Sequence, residues 1–287
     1  MCILTETCRH YAKLHPKMFV NIGHPLSVLL VLVGTAFFFS LQMFYVVPNI
    51  FGADSLMNKL GWLAGIFVTY NILGNMLACY LTSSSVESLP KGREFPEPEE
   101  EHLWRYCEVC EKLMPPRSWH CALCKCCMLK RDHHCAFTAN CIGHNNHRYF
   151  FWFIFYLTLG TSLSMVTLLI DGLRKVWLLG PLHSNLKALL LATATQKIEI
   201  YGIYGHYLLV LLNALAFGFP ALMLAFQIQI MDSNATYYKM FSRLYDLGFR
   251  KNCQLILGQR GLWTFVSPWL KSPLPHDGSR WQMKQAA

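Results

Sequence analysis

The chain has 287 residues, 54% of them apolar and 14% charged, with a formal net charge of +9. That balance is too apolar and too sparsely charged for an ordinary water-soluble domain, so the apolar residues must face lipid. The positive charge raises nucleic acid as a partner, which makes the placement of the basic residues matter more than their sum.

Residues 1–24 form a short polar arm with Arg9, Lys13 and Lys17. Pro25 and Pro48 then bracket 22 uncharged residues, Leu26 to Val47. At roughly 1.5 Å per residue, that run crosses a hydrocarbon core of about 30 Å. After a connector holding Asp54 and Lys59, a second uncharged run goes from Leu60 to Thr82, so residues 25–82 read as a membrane pair. Residues 83–148 change abruptly in character: Pro90, Pro96 and Pro98 with Glu97, Glu99, Glu100 and Glu101 read as a solvated linker leading into a cysteine-rich segment. A third uncharged run, Tyr149 to Ile170, starts directly after Arg148. Within the connector 171–203, Asn185 to Lys197 is expected as an interfacial or loop helix, because its uncharged stretch is too short to span. A fourth run, Tyr207 to Ile230, completes a second membrane pair over 149–230, and 231–287 is a polar tail with a few aromatic clusters.

Of the 25 Lys and Arg residues, three lie in the first arm, nine between Ser83 and Arg148 and eight after Met231, which leaves five on the other side. This asymmetry places both termini and the cysteine-rich segment in the cytosol. Topology thus accounts for the basic excess, and no nucleic-acid partner is expected. In that reducing compartment the cysteines are expected on metal rather than in disulfides.

Eight of the twelve cysteines fall between Cys107 and Phe150. Cys-x2-Cys pairs with a histidine nearby suit tetrahedral zinc, since two thiolates two residues apart can turn back onto one ion. Two four-coordinate sites use eight groups, while the segment offers eight cysteines and three histidines before His144 and His147. Something here is not a ligand. Cys135, with His133 as base and Asp132 orienting the imidazole, carries the logic of an assembled nucleophile.

The run Cys107-x2-Cys110, Pro116-Arg117, His120-Cys121-x2-Cys124-x2-Cys127, Asp132-His133-His134-Cys135 and Cys141-Ile142-Gly143-x2-Asn146 strongly resembles the DHHC-type protein S-acyltransferases, or palmitoyltransferases. The resemblance implies an all-α integral membrane protein with four transmembrane helices and a cytosolic two-zinc module between helices 2 and 3, multi-pass in the endoplasmic reticulum or Golgi membrane. It implies acyl-CoA, palmitoyl-CoA above all, as co-substrate. The partners are membrane lipids and proteins with cytosolic juxtamembrane cysteines. By resemblance, Cys135 takes the acyl group and passes it to a protein thiol. Cys107, Cys110, His120 and Cys127 hold one structural zinc, and Cys121, Cys124, His134 and Cys141 the other. Two positions serve the acyl-CoA side: Gly160, which falls where the family lines the far end of the acyl cavity, and Thr236, whose hydroxyl is expected on the Asp132 carboxylate. Close helix packing is the other reading of Gly160. Asn252 is expected to bond backbone groups, Cys126 has no role beyond a spare or autoacylated thiol, and Lys112, Arg117, Lys130, Arg131 and Arg148 are cations within reach of CoA phosphates or lipid. The family's Pro-Trp after the nucleophile is Ala136-Phe137 here, and its Thr-Thr-x-Glu is Ala235-Thr236-Tyr237-Tyr238. The rival readings are a catalytically inactive membrane zinc scaffold that holds partner proteins and, behind it, a RING-type ligase.

Overall fold

A computed structural model describes residue 10, residues 14–179 and residues 194–284. The fold is mostly helical, and among the described residues four helices are long and apolar enough to cross a membrane: Pro16–Phe51 (α1), Leu56–Leu81 (α2), and the spans His147–Lys175 and Tyr204–Ser233, which lie in the longer helices His147–Leu179 (α3) and Ala194–Ser233 (α4). A short fifth helix, Phe249–Leu257 (α5), follows in the tail.

The first helix passes through both prolines expected to bracket it. A proline inside a helix removes one N–H and crowds the preceding turn. Here a widened π-turn precedes each one, Phe19–Gly23 before Pro25 and Gln42–Val46 before Pro48, so the local ladder is already rearranged where the donor is missing. Helix α2 begins at Leu56, four residues ahead of the uncharged run, because Ser55 Oγ accepts the Asn58 N–H at 3.0 Å and caps it. The interfacial helix expected over 185–197 falls, up to residue 193, outside the described residues.

The chain divides into two compact units. One comprises Gly34–Tyr70 and Phe155–Met223. Its interior holds a polar knot: Gln42 Nε2 donates to Ser164 Oγ at 2.9 Å, Thr167 Oγ1 to Gln42 Oε1 at 2.7 Å and Asn213 Nδ2 to Ser164 Oγ at 2.7 Å. Such bonds hold helices together where lipid offers no hydrophobic gain from packing.

The other unit comprises Met1–Val33, Asn71–Ile154 and Leu224–Ala287 and contains the cysteine-rich module. That module is three short antiparallel hairpins: Arg105–Cys107 (β1) with Lys112–Met114 (β2), Trp119–Cys121 (β3) with Cys126–Met128 (β4), and His133–Cys135 (β5) with Asn140–Ile142 (β6). Asparagines seat it on the end of α2, where the last carbonyls of a helix lack partners. Asn140 Nδ2 donates to Cys79 O at 3.0 Å and Thr82 O at 3.1 Å, and Asn146 Nδ2 donates to Thr82 O at 3.0 Å. Asn146 Oδ1 in turn accepts the Gly143 N–H at 2.9 Å. Gly143 has no room for a side chain, since a Cβ there would lie 2.5 Å from Leu129 O.

Candidate active site and metal centres

The hairpins repeat every fourteen residues, pairing Arg105 with Met114, Trp119 with Met128 and His133 with Ile142. Their turns each place a non-glycine residue at positive φ: Glu111 at 52°, Lys125 at 58° and Ala139 at 47°. That conformation costs roughly 1–2 kcal/mol for an L-residue, so the surrounding structure must impose it. The same period carries the donors: Cys107-x2-Cys110 in the first hairpin and Cys121-x2-Cys124 in the second become Cys135-x2-Thr138 in the third.

The structure gathers eight donor residues in two groups, Cys107, Cys110, His120 and Cys127, and Cys121, Cys124, His134 and Cys141, each with its ligand atoms within 4.8 Å of one another. In both, a cysteine pair from one hairpin faces a cross-strand pair from the next: His120 opposite Cys127, then His134 opposite Cys141. Tetrahedral zinc with Zn–S near 2.3 Å and Zn–N near 2.0 Å separates S and S by about 3.8 Å and S and N by about 3.5 Å. The first group has Cys110 Sγ 3.9 Å from Cys127 Sγ and 3.3 Å from His120 Nδ1. In the second, His134 Nδ1 lies 3.7, 3.3 and 3.5 Å from the sulfurs of Cys121, Cys124 and Cys141. Three thiols and one imidazole at these separations fit zinc in a closed shell that leaves no position for substrate, which is the pattern of a structural ion. Behind the second group, His134 Nε2 pairs with His24 Nε2 at 2.9 Å, the outer contact that orients a ligating imidazole.

Strand alternation separates ligand from chemistry. Side chains on successive strand residues point to opposite faces. In β5, His134 joins the second metal group, so His133 and Cys135 share the opposite face. Both are buried, and Cys135 belongs to neither group. His133 Nδ1–H donates to Asp132 Oδ2 at 2.7 Å, and Phe150 meets the imidazole edge to face at 4.7 Å between centroids. Burial disfavours a charged His133, but Asp132 and the Cys135 sulfur override it and raise its pKa. Burial likewise opposes the Cys135 thiolate, yet the neighbouring His133 prevails and brings the thiol below its ordinary value. Asp132 is wholly buried, which alone would raise it; its bond from His133 outweighs that and holds it well below the carboxylate range.

The Asp132 carboxylate is held differently from the sequence-based expectation. Its Oδ1 accepts the backbone N–H of Tyr237 at 2.6 Å. Among the described residues, no bond from the Thr236 hydroxyl reaches it. Thr236 is extended, with φ −137° and ψ 161°, and this conformation presents the next N–H to the carboxylate. Arg117 steadies the turn, donating to the carbonyls of Asn234 at 2.6 Å and Ala235 at 3.1 Å while its guanidinium lies between the rings of Tyr245 and Trp281. Asn252 bonds backbone groups as expected, accepting the Leu247 N–H at 3.0 Å and donating to Asp232 O at 2.6 Å.

A further partner carried no sequence signal. Gln227, buried in α4, donates from Nε2 to Asp132 Oδ2 at 3.4 Å and accepts at Oε1 from His147 Nε2 at 2.6 Å. Because the carboxylate only accepts, the amide must turn its NH2 towards Asp132, so His147 must carry its proton on Nε2. The fourteen-residue period is the one pattern that marks Thr138, which is buried beside the nucleophile and helps hold the Cys135 thiol below its ordinary value.

Of the cations considered for CoA, Lys112 is exposed, while Arg117, Lys130, Arg131 and Arg148 are turned inward or covered. Arg148 donates to Ser272 O at 3.3 Å and to Tyr149 Oη at 2.7 Å. Burial drives the Lys130 amine well below its usual range. The surplus His144 is no ligand either: it stacks on His276 and pairs through Nε2 with His276 O at 2.9 Å, and burial pushes it down to about 3. Gly160 lies half-buried within α3, thirteen residues from its first residue, which is about 20 Å at 1.5 Å per residue.

Compared with known families, residues 100–243 match the family model described as DHHC palmitoyltransferase, half of the chain. A comparison with curated proteins gives no significant match.

Proposed function

This chain belongs to the DHHC palmitoyltransferase family, and from that premise we propose that it is a protein S-acyltransferase working through Cys135. The buried thiol of Cys135, paired with His133 and Asp132 and outside both metal groups, is the observation that carries this reading. In the first step the Cys135 thiolate attacks the acyl-CoA thioester carbonyl, an acyl-enzyme thioester forms, and CoA leaves as its thiolate, which takes the proton held by His133. In the second, His133 accepts the proton of a protein cysteine, whose thiolate attacks the acyl-enzyme and restores Cys135. The two exchanges trade one thioester for another, so the driving force is small and the barrier is what the site lowers.

The two zinc ions hold the three hairpins together and take no part in the transfer. Positive charge concentrated on one side supports a cytosolic module and cytosolic termini, hence substrates whose cysteines lie at the cytosolic face of a membrane such as the endoplasmic reticulum or Golgi. The acyl chain, palmitoyl in the first instance, lies among the membrane helices, and Gly160 marks the far end of its cavity.

Purified full-length protein incubated with palmitoyl-CoA should gain one hydroxylamine-sensitive acyl group and lose it to an added cysteine peptide. A Cys135→Ser protein should gain none. A well-folded wild-type chain that never takes up the acyl group would support the inactive zinc scaffold instead.

A further inference from the structure

Residues 258–273 form a loop closed at its neck. Gly258 has φ +79°, and a Cβ there would lie 2.4 Å from Ser272 O, so only glycine allows the two ends to meet. Gln259 N donates to Pro273 O at 3.0 Å, Arg260 N to Ser272 Oγ at 3.0 Å and Ser272 Oγ to Leu257 O at 2.8 Å. The bond from Arg148 to Ser272 O fixes this neck at the polar end of α3.

Beyond the neck the sequence is Gly261-Leu-Trp-Thr-Phe-Val-Ser-Pro-Trp-Leu270, ten residues without a charge, with Arg260 before them and Lys271 after. A 3-10 turn over Gly261–Val266 satisfies part of the backbone. Two contacts set its depth. Trp152 Nε1 donates to Thr264 Oγ1 at 2.8 Å, and Pro268 packs so closely on α2 that a Cβ at Gly74 would lie 2.8 Å from its Cγ. Trp152 is three residues inside the third uncharged run and Gly74 eight residues inside the second. These offsets correspond to roughly 5 and 12 Å below the polar ends at 1.5 Å per residue. The loop therefore runs beside the apolar part of two spans, and its outer side shows Leu262, Trp263 and Trp269 at 63%, 72% and 54% exposure.

We propose that residues 261–270 are a re-entrant loop that enters the hydrocarbon of the leaflet holding the polar ends of α2 and α3, with Arg260 and Lys271 against lipid phosphates. Bilayer lipid is the occupant because the apolar outer face continues the lipid-facing flanks of two membrane helices at matching depth. Tryptophan also suits the headgroup boundary, and the flanking cations complement phosphate. A non-helical backbone at that depth is tolerated because its turn bonds itself and its inner side packs on protein.

The test uses full-length protein in phosphatidylcholine nanodiscs, with phospholipid carrying bromine on the acyl chain as fluorescence quencher. Subtracting the spectrum of Trp263→Phe, a change mild enough to leave the fold intact, isolates Trp263. Brominated lipid should extinguish most of that difference signal. A lipid-soluble carbene reagent should also label the 261–270 peptide as strongly as peptides from α2 and far above the 83–100 linker. A difference signal that survives bromolipid, with the loop unlabelled while α2 is labelled, would overturn the proposal. So would a chain that cross-links to a second copy through this loop in place of labelling by lipid.

Discussion

The second and third hairpins are near copies that differ in what becomes of the cysteine after their ligating histidine. After His120 comes Cys121, which joins Cys124 in the next metal group; after His134 comes Cys135, whose partner position holds Thr138. The second and third hairpins each spend a cross-strand His/Cys pair on the group behind them, and the first two offer a Cys-x2-Cys pair to the group ahead. The third has no group ahead. Its leading cysteine keeps the position of a ligand, has Thr138 where its fellow thiol would be and no further hairpin to complete a shell, and stands beside His133 and Asp132 where the second hairpin has Trp119 and Ser118. A nucleophile made by leaving a repeat unfinished is fixed as rigidly as a ligand without being one.

Breaking the repeat at its metal joints should have the largest effect. Cys141→Ser removes a donor from the group that carries the β5–β6 hairpin and should cost most of a metal contribution on the order of 10 kcal/mol in small zinc modules. The expected result is a chain with at most one zinc, no acyl-enzyme and early thermal unfolding. Cys110→Ser opens the outer group, and here the third hairpin should stay assembled, so acyl-enzyme formation should persist at low temperature while zinc falls to one per chain. Equal losses from the two variants would show that the hairpins do not act in series.

Next in size is Asp132→Asn. The carboxylate raises His133, and the imidazolium in turn lowers the Cys135 thiol. A depressed thiol is ionised above its folded value and loses the thiolate as pH falls through it, so the acid limb of acyl-enzyme formation should lie below the ordinary thiol range. With asparagine that limb should move to higher pH, and the rate near neutrality should drop roughly 10²- to 10⁴-fold, the usual contribution of a positioned base. An unmoved limb would sever Asp132 from the thiol.

Thr138→Cys would finish the repeat. It should produce a protein that acylates when reduced and is inhibited by oxidant or added zinc, reversibly on reduction or chelation, while wild type is unaffected. Tyr237→Pro should follow: proline tolerates the first position of a helical turn but deletes the N–H on Asp132, and a hydrogen bond to a charged group is worth about 1.5–3 kcal/mol. Acyl-enzyme formation should slow by roughly tenfold or more. Thr236→Ala should change least, because the carboxylate is served by the backbone one residue further on.

These last two variants sit where the sequence was hardest to read. Long uncharged runs announce membrane helices because lipid tolerates few other solutions, and cysteine spacing announces knuckles because an ion needs its donors close. The four spans and the module between the second and third were legible for those reasons. Thr236 against Tyr237 was not, since side-chain and backbone donors one residue apart are distinguished only by the local φ and ψ. Gln227 was not, being one amide in an apolar run, and the burial of Arg117 depends on Tyr245 and Trp281, more than a hundred residues away. The loop at 261–270 read as polar tail because ten residues are too few to span, though its flanking cations and aromatics were present.

The central claim is that one strand turns His134 to metal and Cys135 to chemistry, and metal content beside acyl uptake tests it most directly. Zinc should be counted per chain in wild type and Cys135→Ser, with intact mass taken before and after palmitoyl-CoA. Both proteins should hold two zinc ions, and wild type alone should gain the mass of one acyl group. A fall to one zinc in Cys135→Ser would make Cys135 a ligand and contradict that claim.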